Sequence, residues 1–133
     1  MNPKERKATC NCGQLTAVVS GQPVRIAVCH CTACQIRTGS AFGVQARFDK
    51  SDVSISGHSN QYSRVADSGN RIRYDFCPDC GATLFYQFDS IPNVVSIPVG
   101  AFADQDFPPP TISIYEERQH PWVKIEGDIE HMN

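Results

Sequence analysis

Seven cysteines fall in three tight clusters: Cys10-Asn11-Cys12, Cys29-His30-Cys31-Thr32-Ala33-Cys34 and Cys77-Pro78-Asp79-Cys80-Gly81. Thiolates this close in sequence can grip one metal ion from a single turn of backbone. Zinc prefers four soft ligands in a tetrahedron, and structural sites usually draw two from each of two such turns. Seven divides into four plus three. Four thiolates close a structural site, whereas three leave one coordination position open, as catalytic zinc sites do. The cysteine count therefore predicts one closed zinc and one open zinc.

Two groupings are compatible with the spacing. One gives Cys10, Cys12, Cys77 and Cys80 to the closed site and Cys29, Cys31 and Cys34 to the open one. The other joins the two C-x-x-C units, Cys31/Cys34 with Cys77/Cys80, as in a zinc ribbon, and strands Cys10, Cys12 and Cys29. The first uses all seven and keeps the three nearest together, so it is preferred. His30 lies between two of these cysteines; in an extended segment its side chain points away from theirs. It is expected at the surface or behind the ligands. His58, His120 and His131 have no motif around them and are expected at the surface.

Other cysteine chemistries fit less well. An odd count suits a disulfide framework poorly. No apolar run precedes Cys10, so no signal peptide is expected, and a cytoplasmic setting keeps thiols reduced. A redox C-x-x-C wants a βαβ context, and the flanks here read as strands. Iron–sulfur ligation ranks below zinc. Zinc deaminases need H-x-E or C-x-E ahead of P-C-x-x-C, and neither occurs. Methionine sulfoxide reductases of similar fold need a late nucleophilic cysteine, and none follows Cys80.

The elements that must position the clusters are mostly strands. Apolar residues alternate at Leu15/Ala17/Val19, Val24/Ile26/Val28, Phe42/Val44/Ala46/Phe48, Val53/Ile55, Ile72/Tyr74/Phe76, Leu84/Tyr86/Phe88, Val95/Ile97/Val99 and Ile112/Ile114. Period-two runs bounded by glycine and proline predict half-buried antiparallel strands. Ser68-Gly69-Asn70 reads as a hairpin turn. One short helix is expected from Thr32 to Arg37, stopped by Gly39. On this reading Cys10/Cys12 precede the first strand, Cys29/Cys31/Cys34 end a strand and enter a turn, and Cys77/Cys80 join two strands. The expected fold is mainly β, with zinc-pinned antiparallel sheets and very little helix.

The 133 residues suit a single domain spanning 1–133. A hydrophobic content of 41% with 20% charged residues is globular. A formal net charge of −2 gives no broad electrostatic case for nucleic acid. No apolar stretch approaches the length of a membrane span. The Lys4–Lys7 stretch is expected to be a solvated terminus, and Pro108-Pro109-Pro110 a rigid turn or short polyproline connector.

The C-H-C-x-x-C cluster followed by Thr38-Gly39-Ser40-Ala41-Phe42-Gly43, with its upstream C-x-C and downstream C-P-D-C-G, resembles the glutathione-dependent formaldehyde-activating enzymes. Centromere protein V carries the same domain. The resemblance runs from about Thr9 to Phe88 and weakly through Pro121-Trp122-Val123. It implies a β-tent fold built on a structural zinc. It also implies that Cys10, Cys12, Cys77 and Cys80 are the structural ligands, and that Cys29, Cys31 and Cys34 are the catalytic set. The implied activity is a carbon–sulfur lyase of the S-(hydroxymethyl)glutathione synthase type, condensing glutathione with formaldehyde.

Donor chemistry leans the same way. Three thiolates give the site a net charge near −1, which makes a poor Lewis acid for water. Such a zinc still favours a soft fourth ligand. A small thiol such as glutathione, bound there, loses its proton and becomes nucleophilic. Thr38 and Ser40 are candidate donors to substrate, unless the tripeptide with Gly39 merely stops the helix. Arg25, Arg37, Arg47, Arg73 and Lys124 are candidates for the glutathione carboxylates. The competing reading is a non-enzymatic zinc-binding or redox-sensing module. Zinc in the open site is expected to be the more labile.

Overall fold

A computed structural model describes residues 5–133; Lys4 of the basic stretch and the first three residues lie outside it. In chain order the strands are β1 (Arg6–Thr9), β2 (Thr16–Val19), β3 (Arg25–Cys29), β4 (Gly43–Asp49), β5 (Val53–Ser56), β6 (Asn60–Val65), β7 (Arg71–Phe76), β8 (Thr83–Phe88), β9 (Val94–Pro98), β10 (Ile112–Ile114) and β11 (Glu130–His131). One α-helix, α1 (Thr32–Thr38), follows β3. The described residues are thus mainly β. They form a small antiparallel sheet, β1-β2-β5, and a large one ordered β11-β10-β3-β4-β9-β8-β7-β6.

The period-two pattern works because the large sheet has two different faces. On β4, Ala46 and Phe48 enter the main core while Gln45 and Arg47 point the other way. Ala8, Leu15, Ala17 and Val19 on and beside the small sheet pack against Ile26, Ala46, Phe48, Leu84 and Ile97 of the large one. Phe102 and Phe107 stack at 4.8 Å between ring centroids and extend this core. Burying such side chains contributes roughly 1.5–3 kcal/mol each.

Several expectations need correction. The first strand precedes Cys10: β1 takes in Arg6 and Lys7 of the supposed solvated terminus, with the Arg6 guanidinium 5.2 Å from the Phe107 ring centroid. Only Ala8 of β1 is buried, so the strand has no alternation to read. Edge strand β6 was invisible for the same reason, being almost wholly exposed. Nor are all strands antiparallel. β3 and β9 both oppose β4 and so run the same way; the chain then crosses through 99–111 to lay β10 parallel to β3. A parallel pair requires a long crossover of this kind. β3 is buried on both faces, because the cleft and its surroundings cover the side away from the core.

The turns match expectation. Ala66 and Asn70 close the β6–β7 hairpin around Ser68-Gly69-Asn70. Helix α1 ends at Gly39, whose φ of 70° suits glycine.

Candidate functional site

Two knuckles of the same form sit at the tips of two hairpins. Between β1 and β2, the Cys10 N–H donates to the Leu15 carbonyl at 3.0 Å and Gly13 N–H returns to Cys10 O at 3.2 Å. Between β7 and β8, Cys77 N–H donates to Ala82 O at 2.9 Å and Gly81 N–H returns to Cys77 O at 2.8 Å. Gly13 and Gly81 hold φ values of 87° and 80°, where glycine is at ease. The knuckles face each other, and the sulfurs of Cys10, Cys12, Cys77 and Cys80 all lie within 4.8 Å of one another. Cys10 and Cys12 sulfurs are 3.7 Å apart, and those of Cys12 and Cys77 3.6 Å. Corners of a tetrahedron with zinc–sulfur bonds of about 2.3 Å are about 3.8 Å apart, so the donor set fits zinc.

The surrounding donors support thiolates. Leu15 N–H reaches Cys10 Sγ at 3.3 Å, and the Gln14 side-chain amide reaches Cys77 Sγ at 3.0 Å. Burial pushes the Cys77 thiol up, but Gln14 and the Cys80 and Asp79 N–H groups outweigh it and bring it to about 6. For Cys10 the Leu15 N–H and its neighbours likewise overcome burial, and its pKa falls. At Cys12 the Gln14 N–H pulls down, yet burial and the sulfurs of Cys77, Cys10 and Cys80 raise it to about 12. Packed sulfurs cannot all ionise without a cation among them. Gln14 was not anticipated from the sequence; its place after C-x-C-G is the only local hint. It also ties the knuckle to a loop, with its amide 2.8 Å from His58 O and its carbonyl accepting from His58 N at 3.1 Å.

The second group is local. Cys29 ends β3, Cys31 caps α1 and Cys34 lies in its first turn. Their sulfurs lie within 4.8 Å of one another, and no fourth His, Cys, Asp or Glu joins them among the described residues. The Cys34 N–H donates to Cys31 Sγ at 3.3 Å. Hydrogen bonds from Cys29 and Cys34 draw the Cys31 thiol strongly down, while Cys31 itself drives Cys29 up. This set of soft, crowded donors also suits a thiophilic cation. The two groups remain separate, so Cys31 and Cys34 do not join Cys77 and Cys80.

The three-cysteine group opens on a cleft of about 600 Å³. Arg25, Arg37 and Arg47 line it, as do the unanticipated Gln45, Tyr74 and Tyr86. Gly43 lets α1 sit close: a Cβ there would stand 3.4 Å from both Cys34 Cβ and an Arg37 nitrogen. The Arg37 guanidinium lies 3.9 Å from Cys34 Sγ and 5.1 Å from the Tyr86 ring centroid.

Other candidates fall elsewhere. Arg73 pairs with Asp89 at 3.3 Å, and neither it nor the exposed Lys124 lines the cleft. Thr38 Oγ1 donates to Cys34 O at 2.8 Å and accepts from Ser40 N, which is the helix-stop role. His30 is no ligand and no surface residue: it is fully buried, with Nε2 2.9 Å from Ser113 Oγ. His58 and His131 are exposed, whereas His120 is half-buried and contacts Gln35 at 2.8 Å.

The family model described as "Glutathione-dependent formaldehyde-activating enzyme" matches residues 5–118, most of the chain. The chain belongs to this family. No curated protein matches the sequence. Among solved structures, a Rhodobacter sphaeroides protein superposes with a TM-score of 0.56 at 22% identity, over 71% of this chain and 85% of that one. That likeness bears on the fold. Family membership associates the chain with enzymatic, glutathione-dependent formaldehyde activation, and its two cysteine groups could each hold a metal ion. No helix among the described residues is long and apolar enough to cross a membrane.

Proposed function

We propose that the protein is a zinc-dependent carbon–sulfur lyase that joins glutathione, or a related small thiol, to formaldehyde. The observation that carries this reading is the group of three sulfurs on a cleft, with no fourth protein ligand among the described residues. Cys29, Cys31 and Cys34 would hold the catalytic zinc, and Cys10, Cys12, Cys77 and Cys80 the structural one. A zinc held by Cys29, Cys31 and Cys34 would leave room for a fourth soft ligand and would favour a substrate thiol in its deprotonated form.

The chain's own groups shape the rest. Tyr74 and Tyr86, with Ile112 and Ile114, give the cleft apolar walls that limit water around the reacting sulfur. The Arg37 cation beside Cys34 offsets the negative charge that the sulfurs gather. Burial pushes the Tyr86 hydroxyl up, so it stays protonated and can donate a hydrogen bond. In the reaction the thiolate sulfur bonds to the formaldehyde carbon and the carbonyl pair moves to oxygen. That oxygen takes up a proton equivalent to the one lost from the thiol. A single domain over 1–133 and a reducing, cytoplasmic setting suit this thiol chemistry.

Cobalt substitution tests the reading. Glutathione should add a new sulfur-to-metal absorption band in the wild-type protein, and S-methylglutathione should not. With formaldehyde present, the adduct should form faster than in buffer, and only in metal-loaded protein. An unchanged cobalt spectrum with several thiols overturns the enzyme and favours a non-enzymatic metal-binding or redox module.

A further inference from the structure

Strand register places the cleft residues in order. Cα partners across β3 and β4 are Cys29 with Gly43, Ala27 with Gln45, and Arg25 with Arg47. Alternate residues share a face, so one face of this ladder runs from the sulfur group, past an amide, to a pair of guanidinium groups. Four residues of strand separate Cys29 from Arg25, about 13 Å at about 3.3 Å per residue.

The arginine pair has no internal justification. Like charges directly opposite each other destabilise a sheet, and neither arginine has a carboxylate within ion-pair distance among the described residues. Both Nε atoms are buried and unpartnered. Burial and the neighbouring Arg25 charge lower the Arg47 pKa. Arg47 is held in place, with its guanidinium 5.4 Å from the Phe88 ring centroid. Three further polar side chains around the pair lack partners: Gln45 Oε1, Ser96 Oγ and the Tyr86 hydroxyl. These residues are 6%, 1% and 3% exposed. Ser96 pairs in register with Arg47 on one side and Tyr86 on the other, which continues the row across the sheet. Buried polar groups are ordinarily satisfied, so a cluster of orphans beside a cleft marks a place for ligand atoms.

We propose that Arg25 and Arg47 form the receptor for a carboxylate at the far end of a peptide thiol, with Gln45 reading the amide between carboxylate and sulfur. This rests on the thiol-binding reading of the three-cysteine group. In glutathione the sulfur sits on the middle residue, about 7 Å from the glycine carboxylate in an extended chain, and the arginine side chains reach across the remaining distance of about 6 Å. A carboxylate with an ammonium on the same carbon is disfavoured beside two cations. In glutathione this selects the glycine carboxylate over the γ-glutamyl end. The site therefore discriminates acidic peptide thiols from cysteine-sized and neutral ones.

S-Methylglutathione separates this claim from capture of the thiol by metal. Calorimetry should show it binding to metal-loaded wild-type protein, more weakly than glutathione. Converting its glycine carboxylate to the amide should weaken binding about 10- to 100-fold, the scale of charge-assisted hydrogen bonds. That comparison needs no variant and cannot be confused with misfolding. Arg25→Gln and Arg47→Gln, each checked for a native melting profile, should lose glutathione affinity on the same scale while 2-mercaptoethanol still shifts the cobalt spectrum. If the amide binds as tightly as the acid, or both folded single variants keep wild-type glutathione affinity, the receptor is overturned while thiol capture stands. If S-methylglutathione does not bind at all, the receptor is likewise overturned. If glutathione leaves the cobalt spectrum unchanged yet S-methylglutathione binds through its carboxylate, thiol capture fails and the receptor survives.

Discussion

At the scale of single residues, Gln14 does more than its composition suggests. One side chain donates to Cys77 Sγ and clasps both backbone groups of His58. Outer groups that orient ligands typically carry 10- to 100-fold in metal affinity. Gln14→Leu should lower affinity at the four-cysteine site on about that scale, read by competition with a chromophoric chelator. Unchanged affinity would remove Gln14 from the site's support. The same clasp makes Gly57 exacting: its φ is 95°, and a Cβ there would fall 2.0 Å from Gln14 O. Gly69 has a similar φ of 88° but open space around it. Gly57→Ala should therefore cost more than Gly69→Ala, which carries only left-handed strain of about 1–2 kcal/mol. Denaturant midpoints compare the two directly.

At the scale of elements, the helix and the strand ends divide the labour. Cys31 is at once a candidate ligand and the N-cap of α1, while Cys29 belongs to β3. Losing one sulfur leaves the helix stop at Gly39 and the β3–β4 ladder in place. Cys31→Ser should shed about one metal per chain while far-ultraviolet circular dichroism stays native. Unfolding of this variant would show the three-cysteine group to be structural. At the opposite edge, Glu116 Oε2 meets His131 Nδ1 at 2.7 Å and helps dock β11. The His131 contact holds the Glu116 carboxyl below its usual value. A depressed carboxyl contributes stability above its unfolded pKa and loses it as pH falls through the lower, folded one. Protection of β11 amides should therefore decline below about pH 4.5, and His131→Ala should bring the Glu116 titration back up. The pair is partly exposed, so the effect on global stability is small.

At the scale of the whole molecule, the four-cysteine group stands where the two sheets meet. Cys10 and Cys12 come from a hairpin of the small sheet, and Cys77 and Cys80 from a hairpin of the large one. A metal held there would tie the sheets across the core. Structural zinc binding is worth ~10 kcal/mol or more, comparable to the net stability of a domain. Cys77→Ser should therefore give molten or insoluble protein, and a native melting temperature in that variant would detach the metal from the fold. Chelation should proceed in two stages. A mild chelator removes one metal per chain with the fold intact, and a strong one removes the second together with the tertiary structure. Metal analysis beside near-ultraviolet circular dichroism follows both stages; simultaneous loss would contradict the division into open and closed sites.

What the amino-acid order determined by itself is local. Cysteine spacing, the glycines that turn each knuckle, the helix ending at Gly39 and the period-two strands are all written within a few residues of one another. Their physics, ligand bite and backbone conformation, is equally short in range. The broad class of the fold followed from it. Strands β1, β6 and β11 left no trace, because their residues carry no apolar alternation, whereas β5 was legible from Val53 and Ile55 although it lies mostly exposed. The partners of each knuckle were decided by tertiary structure, since Cys12 and Cys77 meet only when two distant hairpins close on one core. So was the row of Arg25, Arg47, Ser96 and Tyr86. Its members come from four strands, and cross-strand neighbours are set by register, which no single strand contains.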